Sequence, residues 1–233
     1  MPLPDALRNL NYDQYRRIRF NPEAQIWRNE NRGFTLDLLH PGFHYAEAVQ
    51  INLISDGQVR SLPFAPELFV YDDPGARPEA VAALTFSGFR GRHPLNQPGV
   101  LDEFMVFQGA SYFRAIGRNQ RYGLSARGLA LRTGDRAGEE FPVFTRFWIE
   151  TPAENATSLK LYALLQSPSL TGAYAFTVRP GQATVMEVEA VLYPRVDIAS
   201  FGLAPLTSMF YFDVYDRGGI DDCLLYTSDA ADE

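Results

Sequence analysis

Val143–Glu150 reads VFTRFWIE, Ser158–Leu165 reads SLKLYALL, Ala173–Val178 reads AYAFTV and Thr184–Tyr193 reads TVMEVEAVLY. Each run is largely apolar, and all but the leucine-rich Ser158–Leu165 are rich in β-branched and aromatic residues. Turn chemistry separates them: Thr151-Pro152 follows the first, and Arg179-Pro180-Gly181 precedes the last. Short runs of this kind, recurring every roughly 8–12 residues, predict the strands of an antiparallel sandwich or barrel. The same rhythm extends towards the N-terminus. It predicts strands over Phe34–Leu39, Ala48–Ile54, Val59–Phe64, Phe86–Arg92, Glu103–Gln108, Ser111–Ile116 and Tyr122–Leu131, with Asp56-Gly57 as a hairpin turn. Two segments read as helical instead. In Tyr12–Phe20 the residues Tyr12, Tyr15 and Arg19 recur at near-helical spacing behind Asn11 as cap, and Val196–Gly202 suggests a short helix. Residues 72–82 (DDPGARPEAVA) read as a surface loop with one helical turn, and Leu206–Tyr211 as a last strand. Neither a βαβ rhythm nor an internal repeat is present.

Composition bounds the function. The chain has 233 residues and a formal charge of -7, and 46% of it is hydrophobic. That suffices for a sizeable core and excludes wholesale disorder. The acidic balance argues against a nucleic-acid footprint. No apolar run approaches the roughly 18 residues of a membrane span. The 17 Phe and 12 Tyr favour strands, and the 18 Gly and 16 Pro favour many turns. Lys160 is the only lysine, so the cationic side chains are nearly all planar guanidiniums suited to bidentate contacts. Cys223 stands alone, which rules out an intramolecular disulfide or a zinc cluster. The opening MPLPDALRNL lacks the basic and apolar regions of a secretion signal. After Gly218-Gly219 the strand rhythm stops, and IDDCLLYTSDAADE (220–233) carries five carboxylates and no Arg. Residues 218–233 are therefore expected to be a non-native tail that accounts for most of the net charge.

The densest chemistry lies in GASYFRAIG (109–117) and YGLSARGLA (122–130). Extended, the first places Tyr112, Arg114 and Ile116 on one face, and the second Ser125, Arg127 and Leu129. An arginine midway along an apolar strand cannot be buried unpaired. Arg114 and Arg127 are thus expected to line a wet cleft or to pair with carboxylates. A polyhydroxyl surface, with Arg and Ser donating and Tyr offering a ring, competes with a purely structural Arg–carboxylate network. Glu139 and Glu140 point to opposite faces if extended, so at most one serves a given site. Paired carboxylates are what glycoside hydrolysis needs. Asp102/Glu103, Glu139/Glu140 and Asp213/Asp216 qualify by residue type only. His40 and His44 are separated by Pro41-Gly42 and do not share a helix face, which speaks against zinc. Gly123-Leu-Ser-Ala-Arg lacks the closing glycine of a nucleophile elbow, and no Walker A or dinucleotide fingerprint occurs.

Several long stretches resemble one family. GASYFRAIGRNQRYGLSARGLAL (109–131), GEEFPVFTRFWIE (138–150), LYALLQSPSLTGAYAFTVRPG (161–181) and LAPLTSMFYF (203–212) are similar, in order, to the periplasmic glucan biosynthesis proteins G and D. YDQYRRIRFNPEAQIWRNE and LLHPGFHY nearer the N-terminus fit as well. The resemblance implies an all-β fold: a large antiparallel sandwich of the galactose-mutarotase-like supersandwich type. Residues 1–217 would form this N-terminal domain, incomplete at the C-terminus, without the family's small immunoglobulin-like domain. It implies a periplasmic location and action on the β-1,2-linked backbone of osmoregulated glucans. Some members are inverting β-1,2-glucanases, and a non-catalytic glucan-binding scaffold is the alternative. A mutarotase-like small-sugar enzyme is the weaker third reading, because its His and Glu pair has no counterpart among His40, His44 and His93. No catalytic residue, cofactor or metal is assigned. The expected partners are β-1,2-glucan and other periplasmic glucan enzymes. Tyr112, Arg114, Tyr122, Ser125, Arg127 and Glu140 are the expected glucan contacts.

Overall fold

A computed structural model describes residues 3–73, 76–78 and 84–207. Two short helices open the chain, α1 (Asp5–Arg8) and α2 (Tyr12–Tyr15). Then come β1 (Ile18–Phe20), β2 (Thr35–Leu39), β3 (Gln50–Ser55), β4 (Gln58–Ser61) and β5 (Phe69–Tyr71). β6 (Gly88–His93), β7 (Asp102–Gln108), β8 (Tyr112–Ala115), β9 (Ala126–Arg127) and β10 (Leu129–Leu131) follow. The last are β11 (Val143–Glu150), β12 (Leu159–Gln166), β13 (Leu170–Arg179), β14 (Val185–Pro194) and β15 (Phe201–Leu203). They form a six-stranded sheet, β14-β13-β12-β11-β3-β4, a five-stranded sheet, β2-β6-β7-β8-β9, and two small ones, β1-β5 and β10-β15. No described helix is long and apolar enough to cross a membrane.

The two large sheets pack face to face through phenylalanines. Phe89, Phe107 and Phe113 are cross-strand partners on β6, β7 and β8. Their rings stack at 5.1 and 5.5 Å. From the facing sheet, Phe147 and Phe176 drive their edges into this ladder. Phe147 lies 5.1 Å from Phe89, and Phe176 lies 5.2 Å from Phe107, both nearly perpendicular. Edge-to-face contacts set the positive ring edge on the negative face, which fixes the sandwich more specifically than aliphatic burial would. On β12, Leu159, Leu161, Ala163 and Leu165 face this core while Lys160 and Tyr162 face out. That is the period-two alternation of a half-buried strand.

The hairpin turn at Asp56-Gly57 forms as expected. Both residues take positive φ, 51° and 74°, the primed turn that matches strand twist. Three other expectations are corrected. Only Tyr12–Tyr15 is helical, held by a capping box in which Asn11 and Gln14 bond each other's backbone N–H at 2.9 Å. Ile18 and Phe20 leave the helix to pair with β5, because a strand partner outweighs a marginal helix turn. Tyr122–Leu131 is not one strand. It breaks at Gly128, where a Cβ would meet the Phe144 ring at 2.7 Å, and the chain changes sheets there. Val196–Gly202 gives no helix; Phe201–Leu203 instead pairs with β10. One pairing, β3 with β11, is parallel within an otherwise antiparallel pattern. Leu206 bridges Ala126, and residues 208–211 of the expected strand lie outside the described residues, as do the expected tail at 218–233 and most of the 72–82 loop.

Candidate functional site

The face of the five-stranded sheet turned away from the phenylalanines is polar. Register places Asp37, Arg90, Val106 and Arg114 side by side across four strands. One step along the strands come Gln108 and Tyr112, and Tyr112 pairs directly with Arg127. Depressions of about 170, 110 and 670 Å³ follow one another over this face. Gln108 lines the first two, and Tyr112 lines the last two, so each depression of this furrow shares a wall residue with the next.

The first end is braced by a buried network. Gln108 Nε2 donates at 2.9 Å to both the Tyr15 hydroxyl and Ser87 Oγ. Those two hydroxyls donate to the His40 carbonyl at 2.8 and 2.9 Å. Burial pushes the Tyr15 hydroxyl up to about 12, so it stays protonated as a donor. Arg19 and Arg90 complete this end. Arg90 is neutralised by Asp37 at 2.8 Å and by Glu103 at 2.9 Å.

Tyr45, Arg114 and Ser125 line the middle. Arg114 is exposed and makes no ion pair among the described residues; its guanidinium lies 4.6 Å over the Tyr122 ring. The Tyr122 hydroxyl is buried against Glu103 without a hydrogen bond of good geometry. Burial, and then the Glu103 charge, push its pKa up.

The far end is the widest. Arg127 is buried between two rings, its guanidinium 5.7 Å from Tyr112 and 4.9 Å from Phe141. Its Nη1 donates to Glu139 Oε1 at 2.5 Å. Phe201 and Leu206 form the opposite wall, stitched on where Arg127 N–H donates to Pro205 O at 3.0 Å and Thr207 N–H to Ser125 O at 2.9 Å.

Of the six residues expected as contacts, Tyr112, Arg114, Ser125 and Arg127 line the furrow, and Tyr122 supports Arg114. Glu140 is turned inward. Its carboxylate accepts the Ser167 hydroxyl, the Ser169 N–H at 2.9 Å and the Ser169 hydroxyl at 2.7 Å. Burial raises its pKa, but these donors and Arg132 outweigh that and hold it low. The furrow takes Glu139 instead, as the opposite-faces argument allowed for one of the two. Sequence reasoning misses Gln108, whose role depends on the Tyr15 and Ser87 hydroxyls that the fold brings beside it. Among the described residues no three His, Cys, Asp or Glu side chains gather to hold a metal ion.

Comparison with known proteins gives a single direction. Residues 1–230 match the family described as periplasmic glucan biosynthesis protein, MdoG. The chain is 51% identical over 221 residues to a glucans biosynthesis protein G of Bradyrhizobium diazoefficiens, covering 94% of this chain and 44% of that protein. Proteins of the same name from Vibrio cholerae serotype O1 and Shewanella sp. strain MR-4 are 45% and 47% identical, each over 95% of this chain and 41% of their own length. The chain thus spans less than half the length of these relatives.

Proposed function

We infer function from one premise: this chain belongs to the periplasmic glucan biosynthesis protein family, MdoG. From it we propose that the chain acts in the periplasm and holds the β-1,2-linked backbone of a glucan along the furrow. The observation that carries this reading is the row of adjoining depressions, which share Gln108 and Tyr112 as walls. The row runs from Arg90 past Gln108 and Tyr112 to Arg127, alternating rings with hydrogen-bond donors. Sugar rings present apolar faces and a rim of hydroxyls, and this alternation answers both. A neutral polymer also suits a groove whose deepest cations, Arg90 and Arg127, already carry carboxylate partners.

For the longer polypeptides of the family, an inverting β-1,2-glucanase is the catalytic reading. It needs two carboxyl groups flanking the bond, roughly 6.5–9.5 Å apart, with room for a water. Glu139 is the carboxylate of the widest depression and is tied to Arg127. That favours binding over chemistry for this wall. It gives weight to the second reading, a glucan-binding scaffold that passes chains to other periplasmic glucan enzymes.

Calorimetric titration with linear β-1,2-glucan tests the shared part of both readings. Saturable binding is expected, and absence of binding at millimolar sugar would sink them. Release of reducing ends from the same glucan by a longer polypeptide of the family separates them, and none is expected from this chain under either reading.

A further inference from the structure

Arg127 is more than a structural cation. Its side chain is nine-tenths buried, yet one of its two terminal amino groups, Nη2, has no hydrogen-bond acceptor among the described residues. An unmet buried donor is costly, more so when charged, and marks a place where a partner is expected. The neighbouring carboxylate is lopsided as well. Glu139 Oε1 accepts from Arg127 at 2.5 Å and from Thr133 Oγ1 at 3.3 Å, while Oε2 takes no bond from a described residue. A donor without an acceptor and a carboxylate oxygen without a donor thus belong to one ion pair that lines the widest part of the furrow. Their charges cancel, which disfavours an anion such as phosphate. What fits is a group that accepts at one atom and donates at the next: two hydroxyls on adjacent ring carbons.

We propose that the Arg127–Glu139 pair reads a vicinal diol of a sugar ring, and that Phe141 is the cover that turns aside to admit it. Phe141 is 49% exposed although its ring lies on the guanidinium. Its neighbour Glu140 is pinned by Ser167 and Ser169, so the ring moves about its own side-chain torsions while the backbone stays fixed. The chemistry makes a linkage rule. An internal ring of a β-1,2-linked chain keeps free hydroxyls on carbons 3 and 4, which are adjacent. An internal ring of a β-1,3-linked chain keeps those on carbons 2 and 4, which are not. The pair therefore selects against β-1,3 linkage.

This inference rests on the glucan-binding reading of the same furrow, and one titration series separates the two. The probes are cyclic β-1,2-glucan, which has no chain ends, long linear β-1,3-glucan and inorganic phosphate. The chain is expected to bind the β-1,2-glucan at least about tenfold more tightly than the β-1,3-glucan. Glu139→Gln and Arg127→Gln should each weaken β-1,2 binding by about tenfold or more and shrink that preference. Phe141→Ala should associate with the β-1,2-glucan faster, and an unchanged association rate would show that the ring is not a cover. Binding of neither glucan by the unsubstituted chain removes the reading itself. If β-1,2-glucan binds but a folded Glu139→Gln keeps both affinity and preference, or if phosphate competes, the diol assignment fails while the reading stands. Glu139→Gln preserves shape, so a loss confined to Arg127→Gln would also count against the pair.

Discussion

The carboxylate of Asp37 accepts the Nε–H of Arg90 at 2.8 Å with 3% of the aspartate side chain exposed. The same carboxylate takes Arg92 Nε at 2.9 Å and Gln25 Nε2 at 2.6 Å. One buried anion thus holds two arginines flat on the outer face of the sheet. Removing it leaves both guanidiniums largely buried and short of an acceptor. Arg90 keeps Glu103 and Arg92 keeps the Leu101 carbonyl, so Asp37→Ala is expected to cost about 1–3 kcal/mol, the range for buried donors that lose a partner. Urea unfolding measures this, and an unchanged midpoint would show that the cluster contributes nothing.

His40 makes stability depend on pH. Its Nδ1–H donates to the Pro41 carbonyl at 2.6 Å, and its Nε2 accepts the Tyr71 hydroxyl at 3.0 Å. Burial lowers its pKa to about 4. An unfolded chain takes up this proton near pH 6.5, and the folded chain only near 4. Its contribution is therefore complete above about pH 6.5 and is lost as pH falls, by up to about 3 kcal/mol at roughly 1.4 per unit. His93, lowered by burial too, adds a loss of the same sign. Melting temperatures of the wild type and His40→Gln, compared from pH 8 to 4, should converge on acidification. Parallel curves would refute the assignment.

Gly88 stands where β6 meets β7, at φ 152°, and a Cβ there would lie 2.0 Å from the Phe107 carbonyl oxygen. A backbone oxygen within a ladder cannot retreat as a flexible side chain can. Gly88→Ala is expected to exceed the ordinary range of about 0.5–3 kcal/mol and to yield little soluble protein. A variant that melts within a few degrees of wild type would mean the two strands slide past each other freely.

Tyr112 joins the middle and far depressions, whereas Tyr193 is 56% exposed on β14, away from the furrow. Tyr112→Ala should weaken β-1,2-glucan binding roughly two- to tenfold, the worth of one aromatic face, and Tyr112→Phe much less. Tyr193→Ala should leave binding unchanged. Equal effects at both tyrosines would place the sugar elsewhere.

Strands whose faces alternate cleanly were legible. Val143–Glu150 was expected and found with the same ends, and the runs around β12 and β14 were displaced by a residue. Local pattern failed where the partner decides the structure. Residues 18–20 follow helical spacing but extend to meet β5, and Gly128 interrupts a periodic run because Phe144 needs its space. The Tyr112, Arg114 and Arg127 face could be read from period-two geometry and the cost of burying guanidinium. The contributions of Gln108 and Phe141 could not, since both depend on which strands lie next to each other. Glu139 and Glu140 were indistinguishable until the Ser167–Ser169 turn showed which one it captures.

The parallel pair sets the order in which this protein can fold. β11 to β14 form a meander whose neighbours are close in sequence, and β3 and β4 form a hairpin; each can assemble early from local contacts. Joining them requires Gln50–Ile54 to lie beside Arg146–Glu150. The intervening chain includes most of the five-stranded sheet, β6 to β9. The six-stranded sheet cannot close until that long excursion has returned, and non-local pairings of this kind slow folding. Until then the edges of β3 and β11 are bare, and a newly made chain is most exposed to mispairing during that interval.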